Sequence, residues 1–187
     1  MEIEKRNKFV EFLKKYGIYC AVGIVIFAVA LTFTLVATLN NAVQTGIGSL
    51  NFRLPMENAS IIKDYSNTEL QENGTLNQWE AHLSVDLTSE NNDVFAVLDG
   101  TVESVVNDYL NGLTVTIDHG NGITAIYASL ADDVLVGEGD KVSAGEKIGS
   151  ASSSANGELD LGDHLHFTLL LNDEKVDPSN YLDLQEK

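Results

Sequence analysis

Residues 16–39, YGIYCAVGIVIFAVALTFTLVATL, form an apolar run of 24 residues without a charged side chain. A helix rises ~1.5 Å per residue, so this run is longer than the ~30 Å hydrocarbon core of a bilayer. The apolar region of a cleaved signal peptide is shorter, about 7–15 residues. The run therefore predicts a single transmembrane helix and leaves the long C-terminal part of the chain for a folded domain.

The charges that flank this run indicate its orientation. Lys14 and Lys15 adjoin its N-terminal end, whereas the next charged residue after it is Arg53. Basic residues are preferentially retained on the cytoplasmic side of a membrane. We therefore expect a cytoplasmic basic head over residues 1–15, attachment to the membrane through residues 16–39, and an extracytoplasmic location for everything that follows.

The formal charge of the chain is −17, and the acidic excess lies almost entirely after the apolar run. Such a surface repels phosphates, so we expect no nucleic-acid partner. The acidity is typical of a soluble extracytoplasmic domain, or of one that faces a cationic partner. The single cysteine, Cys20, excludes an intrachain disulfide within this sequence.

The pattern of the chain changes at about residue 78. Residues 40–77 are polar and show no clear period, which predicts a stalk or linker, although the stretch ASIIKDYS could add a short strand to the domain. Over residues 78–184, short runs rich in β-branched residues are separated by Gly, Asn and Asp, with Asp-Gly and Asn-Gly pairs that favour tight turns. This pattern predicts an all-β antiparallel domain, followed by a tail at residues 185–187.

Two short stretches of this domain combine histidines with a carboxylate. In GDHLHF, a strand would place His164 and His166 on one face and Leu165 on the other. In HLSVD, His82 and Asp86 are four residues apart, which is ~13 Å in an extended strand, so the backbone must bend if both bind one ion. Three protein ligands with an open position are typical of catalytic zinc sites, and the four side chains predict a metal site.

The order of these motifs resembles the LytM (lysostaphin-like) zinc endopeptidases of peptidoglycan. The resemblance extends from about His82 to Leu182 and rests on His-x-x-x-Asp, GxVxxV, IDHGNGITAIY, VxxGDxVxxGExIG, HLHF and VDPxxYL. It implies one zinc ion held by His82, Asp86 and His166. It also implies that His164 is the catalytic histidine, which would polarise or deprotonate the water that attacks a peptide cross-link of peptidoglycan.

Three positions depart from the pattern of this family. The family usually has a second catalytic histidine in Tyr-x-His-Leu, but here the stretch is YASL and Ser129 occupies that position. Serine cannot become a cation near neutral pH, and losing an acid–base group typically lowers a rate ~10²–10⁴-fold. Ser84 replaces the glycine of His-x-Gly-x-Asp, which we expect to hinder the bend, and Asp163 replaces a proline before HLHF. The remaining histidine, His119, is expected to have a structural role.

Two hypotheses for the function remain, and Ser129 favours the first. A degenerate domain that is weak or inactive as an enzyme would act as a scaffold, whereas an active zinc endopeptidase would rely on His164 alone. The order of head, anchor, stalk and degenerate domain is similar to that of sporulation proteins in the family. It implies a forespore-membrane protein that meets a stage III sporulation protein AH-like partner in the opposite membrane, within an engulfment and channel complex. On the scaffold hypothesis, Ser129→His should create or raise peptidoglycan hydrolysis.

Overall fold

The computed structural model describes the backbone of residues 2–47 and 50–186, and the side chains of residues 14–19, 21–38 and 50–184. Two compact units are present, Met1–Leu50 and Asn51–Lys187. The predicted head and tail, residues 1–15 and 185–187, lie mostly outside the residues whose side chains are described.

The described part of the first unit is a helix, α1 (Glu2–Ile47). Its section Lys14–Thr38 is long and apolar enough to cross a membrane. The hydroxyl groups of Thr32 and Thr34 donate to carbonyls three residues earlier, so these polar groups need no water. This helix includes the predicted span and fits a single-pass membrane protein.

The second unit is built from strands. In chain order these are β1 (Ser60–Lys63), β2 (Ser66–Asn73), β3 (Gln78–His82), β4 (Val85–Thr88), β5 (Asp93–Phe95), β6 (Gly100–Asp108), β7 (Gly112–Gly120), β8 (Ile123–Leu130), β9 (Lys141–Val142), β10 (Lys147–Ser150), β11 (Leu165–Leu171), β12 (Glu174–Val176) and β13 (Gln185–Glu186). Short 3₁₀ helices lie at Leu159–Leu161 and Pro178–Asn180.

The main sheet has the strand order β13-β1-β4-β11-β8-β7-β6-β9, and β12 pairs with β11. Two small sheets, β5 with β10 and β2 with β3, accompany it. Among the described strands every pairing is antiparallel except that of β1 with β13. The predicted all-β antiparallel domain is confirmed.

The core lies on one face of the central strands β4, β11 and β8. Alternate residues of these strands are fully or almost fully buried, and they include Val85, Leu87, Ala125, Tyr127, Leu165, Phe167 and Leu169. The rings of Tyr127 and Phe167 meet edge to face with centroids 5.3 Å apart. Each large side chain buried in this way contributes ~1.5–3 kcal/mol. Because side chains alternate along a strand, the residues between these core positions face the opposite side.

The folded domain begins earlier than the sequence predicts. The predicted stalk extends to residue 77, but the compact unit starts at Asn51, and Met56 and Ala59 are buried in it. Strand β1 pairs with β4, and β2 pairs with β3. The strand suggested by ASIIKDYS is therefore present. Its side chains are all half-buried, so β1 has no alternating pattern that would separate it from a polar linker.

Candidate metal centre

The register of the main sheet brings Lys63, Asp86 and His166 together. Lys63 on β1 lies opposite Asp86 on β4, and Asp86 lies opposite His166 on β11. Residues that are directly opposed in antiparallel strands share a face of the sheet. As a result, Nδ1 of His166 is 2.8 Å from Oδ1 of Asp86, although 80 residues separate them in sequence.

His82 joins this group because the strand is interrupted between β3 and β4. His82 ends β3, and Asp86 lies in β4 after the interruption. In a continuous strand the Cα atoms of these residues would lie ~13 Å apart, whereas with this interruption Nε2 of His82 lies 3.2 Å from Oδ2 of Asp86. Nδ1 of His82 donates a hydrogen bond of 2.8 Å to the carbonyl of Asp64. In the neutral imidazole this leaves a lone pair on Nε2, directed at the cluster.

Ser84 occupies the family's glycine position and does not distort the backbone between β3 and β4. Its backbone is not in the left-handed conformation that would require glycine. Its buried hydroxyl lies 3.0 Å from Nε2 of His82, within hydrogen-bond distance. The expected hindrance of the bend is therefore not observed, and Ser84 instead helps to hold the imidazole in place.

His164 lies beside the cluster and is completely buried. Its Nδ1 donates to the carbonyl of Gly162 at 2.8 Å. Its Nε2 has no hydrogen-bond partner among the described residues and lies 3.6 Å from Oε2 of Glu158. Burial alone would lower the pKa of His164, but its contacts with Glu158 and Gly162 raise it. His164 and His166 thus reach the same carboxylate from one side of the sheet. Asp163, which precedes them, is exposed.

Glu158 is a member of the cluster that the sequence analysis missed. Its Oε2 lies 2.8 Å from Nδ1 of His166, and its Oε1 lies 3.0 Å from Nζ of Lys63 and 3.7 Å from Nε2 of His82. It sits between β10 and β11 in the stretch SSSANGELDLG, which has no period that would indicate its direction. The signal that could have identified it is the one glutamate in this small, polar loop leading to HLHF.

The cluster fits a metal ion in both composition and spacing. His82, Asp86, Glu158 and His166 each offer a ligand atom, and these atoms all lie within 4.8 Å of one another. Tetrahedral ligands at ~2.1 Å from zinc are ~3.4 Å apart, and the closest contacts here are 2.8–3.7 Å. Oδ2 of Asp86 is buried and has no hydrogen-bond partner among the described residues. Such a group costs ~1–3 kcal/mol, which a bound cation would offset.

Protons on the histidines balance the carboxylates in the metal-free cluster. Burial alone would lower the pKa of His166, but its contacts with Asp86 and Glu158 raise the pKa to about 9. Burial would raise the pKa of Glu158, but His164, His166 and Lys63 hold that pKa well below its ordinary value. A metal ion would compete with the proton on His166, so we expect metal binding to release protons.

Ser129 lies close to this site, and its hydroxyl bonds to Ser152, which pairs with His164. It falls in an irregularity of the pairing between β7 and β8, where its φ is 62°. Its hydroxyl is completely buried and donates to the carbonyl of Ser152 at 2.6 Å. The described hydrogen bonds of Ser129 do not include the metal ligands. The position expected for the second catalytic histidine therefore contributes no group that could transfer a proton there.

His119 lies outside the cluster. Its Nδ1 donates to the carbonyl of Asp99 at 3.0 Å, while its buried Nε2 has no hydrogen-bond partner in the part of the chain that the structure describes. A Cβ atom on Gly100 would approach Nδ1 of His119 to 2.7 Å, so the glycine allows the close packing of these two strands. Burial lowers the pKa of His119 despite the hydrogen bond to Asp99.

The sequence pattern of peptidase family M23 matches residues 80–178, which is more than half of the chain. The chain belongs to peptidase family M23. The M23 domain contains His82, Asp86, Glu158, His164 and His166, so all the histidines and carboxylates of the cluster come from it.

This M23 chain is similar to a sporulation protein and to a chain of a solved protein complex. It is 29% identical to stage II sporulation protein Q of Bacillus subtilis (strain 168), in an alignment of 157 residues that covers 77% of this chain and 55% of that protein. The chain thus spans little more than half the length of that relative. A chain in the solved SpoIIQ–SpoIIIAH pore forming complex is 27% identical, with a TM-score of 0.61 over 71% of this chain and 90% of that chain.

A third similarity is to an enzyme. A zinc containing peptidase from Vibrio cholerae is 28% identical to the M23 chain, with a TM-score of 0.53 over 67% of this chain and 36% of that one. The relatives thus include both a component of a protein complex and a zinc peptidase.

Proposed function

We propose that this chain is a single-pass membrane protein whose M23 domain is a scaffold that binds a partner anchored in an opposite membrane. The similarity to a chain of the SpoIIQ–SpoIIIAH complex covers 90% of that chain, which supports a partner of the SpoIIIAH type. Lys14 and Lys15 at the start of the apolar section support a cytoplasmic N-terminus. The proposed location of this chain is the forespore membrane, with the domain in the space between forespore and mother cell.

The observation that carries this proposal is the state of Ser129. The M23 domain keeps a cluster suited to a metal but has a buried serine, bonded to Ser152, where its family has a second catalytic histidine. A serine hydroxyl in that state neither carries positive charge nor exchanges a proton with a substrate at neutral pH. The selective loss of the proton-transfer group is what a domain retained for binding would show.

Zinc is the metal that we propose for the cluster, with His82, Asp86 and His166 as ligands. Nitrogen and carboxylate ligands at these spacings suit zinc. Bound zinc supplies Lewis acidity in an enzyme, and in a scaffold it stabilises the folded state by binding to that state alone. His164 takes the position of the family's catalytic histidine.

A second candidate function is peptidoglycan endopeptidase activity. The specific observation in its favour is Nε2 of His164, a buried nitrogen beside the cluster that has no hydrogen-bond partner among the described residues. Such an atom beside a metal cluster could act as a general base. The enzyme would then cleave peptide cross-links with His164 as its only proton-transfer residue.

One preparation can separate the two functions. The full chain, purified in detergent, is tested for binding to the soluble part of a SpoIIIAH-type protein and for release of fragments from dye-labelled peptidoglycan. The scaffold predicts saturable binding without release of dye. Failure to bind would reject the scaffold. Release of dye that disappears in His164→Ala would establish the second candidate.

A further inference from the structure

We infer that Glu158 is a fourth protein ligand that closes the metal site. This inference rests on the proposed zinc site, and it extends that site beyond the three ligands that the family resemblance implies. A structural zinc site has four protein ligands, whereas a catalytic site keeps one position for water or substrate. Assigning Glu158 to the remaining position makes the zinc structural and provides a second reason for a domain that binds without cleaving.

The positions of the two oxygens of Glu158 support this assignment. Oε2 lies 2.8 Å from Nδ1 of His166, and Oε1 lies 3.7 Å from Nε2 of His82, so the carboxylate spans two of the proposed ligands. Asp86 approaches the same two histidines from the sheet, at 2.8 Å and 3.2 Å. The two carboxylates and two imidazoles therefore surround a common space.

Lys63 holds the Glu158 side chain in this orientation. Its Nζ is 3.0 Å from Oε1, and the side chains of Lys63 and Glu158 are only 9% and 12% exposed. A buried glutamate on a surface loop would otherwise be costly. Lys63 lies on β1, opposite Asp86, so the sheet fixes its position as well.

The backbone that carries Glu158 is also fixed, by loops on both sides. The N–H of Gly157 donates to the carbonyl of Leu110, and the carbonyl of Gly157 accepts from the side chain of Asn73. Two residues after Glu158, the hydroxyl of Thr75 donates to the carboxylate of Asp160, whose N–H donates back to the Thr75 hydroxyl. These bonds tie the segment to the β6–β7 and β2–β3 hairpins.

The space that remains beside the cluster is small. A pocket of about 250 Å³ opens there, lined by His82, His166, Glu158 and Glu80 among others. Ligand sites for small molecules typically enclose ~300–1,000 Å³. Glu158 lines this pocket together with His82 and His166, so its carboxylate borders a space through which a peptide could approach the cluster.

Metal affinity and access to the metal test this assignment. The probes are zinc alone, followed by competition with a chelator, and azide added to the cobalt-loaded chain, since azide needs a free coordination position. The full chain in detergent is compared with Glu158→Ala and Glu158→Gln, and the latter retains the side-chain volume. Glu80→Gln is the matched control, because it removes one charge from the same pocket. Thermal unfolding and partner binding verify that each variant is folded.

We expect Glu158→Ala to weaken zinc binding at least ~10-fold, since changes even outside the direct ligands cost 10–100-fold. Azide should change the visible spectrum of cobalt-loaded Glu158→Ala but not that of the wild type or Glu80→Gln. Glu158→Gln should also lose affinity, because an amide lacks the negative charge. Unchanged zinc affinity in Glu158→Ala and Glu158→Gln would overturn the assignment of Glu158 as a ligand, and so would azide binding by the wild type. Neither result would overturn the proposed zinc site. A wild-type chain that binds no zinc would overturn the proposed zinc site as well.

Discussion

Nε2 of His82 and Oδ2 of Asp86 lie 3.2 Å apart without a hydrogen bond between them. Nδ1 of His82 bonds to the carbonyl of Asp64, which directs Nε2 into the same buried space as Oδ2 of Asp86. A cation in that space would be within reach of both atoms. The pair is therefore arranged as metal ligands are, and its stability should depend on metal.

Removing the His82 imidazole should abolish stoichiometric metal binding. His82→Ala is expected to contain less than one zinc per chain and to unfold at a lower temperature. The reason is that zinc stabilises the folded state by about 2.7 kcal/mol when its concentration is a hundred times its Kd. Elemental analysis and thermal unfolding of the detergent-solubilised chain measure both effects.

His119→Ala is the control for this experiment, since His119 lies outside the cluster. It should retain one zinc even if its unfolding temperature falls. A chelator should lower the unfolding temperature of the wild type and His119→Ala but not that of His82→Ala. A full equivalent of zinc in His82→Ala would refute the ligand assignment.

His119 should make the domain less stable at mildly acidic pH. Burial places its pKa in the folded state below the ordinary value of ~6.5, so the unfolded chain binds the proton more readily. Its contribution to stability is present above pH ~6.5 and is lost as the pH falls below that value. Urea unfolding at pH 7.5 and at pH 5 should show this loss for the wild type.

His119→Asn isolates that contribution, because an asparagine amide can still donate to the carbonyl of Asp99. Other groups titrate alike in both proteins, so the quantity to compare is the difference in their free energies of unfolding. We expect this difference to shift against the wild type between pH 7.5 and pH 5. A difference that is independent of pH would show that His119 titrates with the same pKa in the folded and unfolded chain.

The domain should lie on the outer side of the membrane. Lys14 and Lys15 precede the apolar section, and no charge follows until Arg53. Protease added to intact protoplasts that carry the chain in their surface membrane should digest residues beyond 40 and leave the N-terminal head. The same domain expressed without α1 should be protected inside the cell. Protection of the anchored domain would refute this orientation.

Local patterns were sufficient to predict the type of domain. Alternation in HLHF placed Leu165 in the core and the flanking histidines on the other face, where His164 and His166 both reach Glu158. The spacing of His82 and Asp86 predicted a bend, and the strand is interrupted between β3 and β4. These features depend on neighbours within a few residues, which a single sequence displays.

Contacts between distant segments could not be predicted in this way. Lys63 is polar and half-buried, and its role depends on pairing with β4 and on Glu158, which lies 95 residues away. Glu158 follows no period, since loop hydrogen bonds from Asn73 and to Leu110 set its position. The early start of the domain was missed for the same reason, because β1 is recognisable only by its partner.

Restoring the second histidine should raise hydrolysis only when Glu158 is also removed. Ser129→His would return an imidazole to the family's catalytic position, and histidine tolerates a positive φ better than most residues. The change also breaks the bond to Ser152, at a cost of ~1 kcal/mol. With Glu158 in place, however, the metal has no free position for a water or a peptide carbonyl, so the single variant should remain nearly inactive.

The decisive comparison is therefore among Ser129→His, Glu158→Ala and the double variant, with release of dye from labelled peptidoglycan as the measurement. We expect the double variant to exceed each single variant by ~10²-fold or more, since a positioned acid–base group contributes ~10²–10⁴-fold. Ser129→His combined with Glu80→Gln is the control and should stay as inactive as Ser129→His alone. Partner binding should persist in all of them, because the scaffold does not use the proton-transfer residues. Brisk hydrolysis by Ser129→His alone would show that Glu158 leaves the metal open, and loss of the partner in that variant would place the binding interface at the site itself.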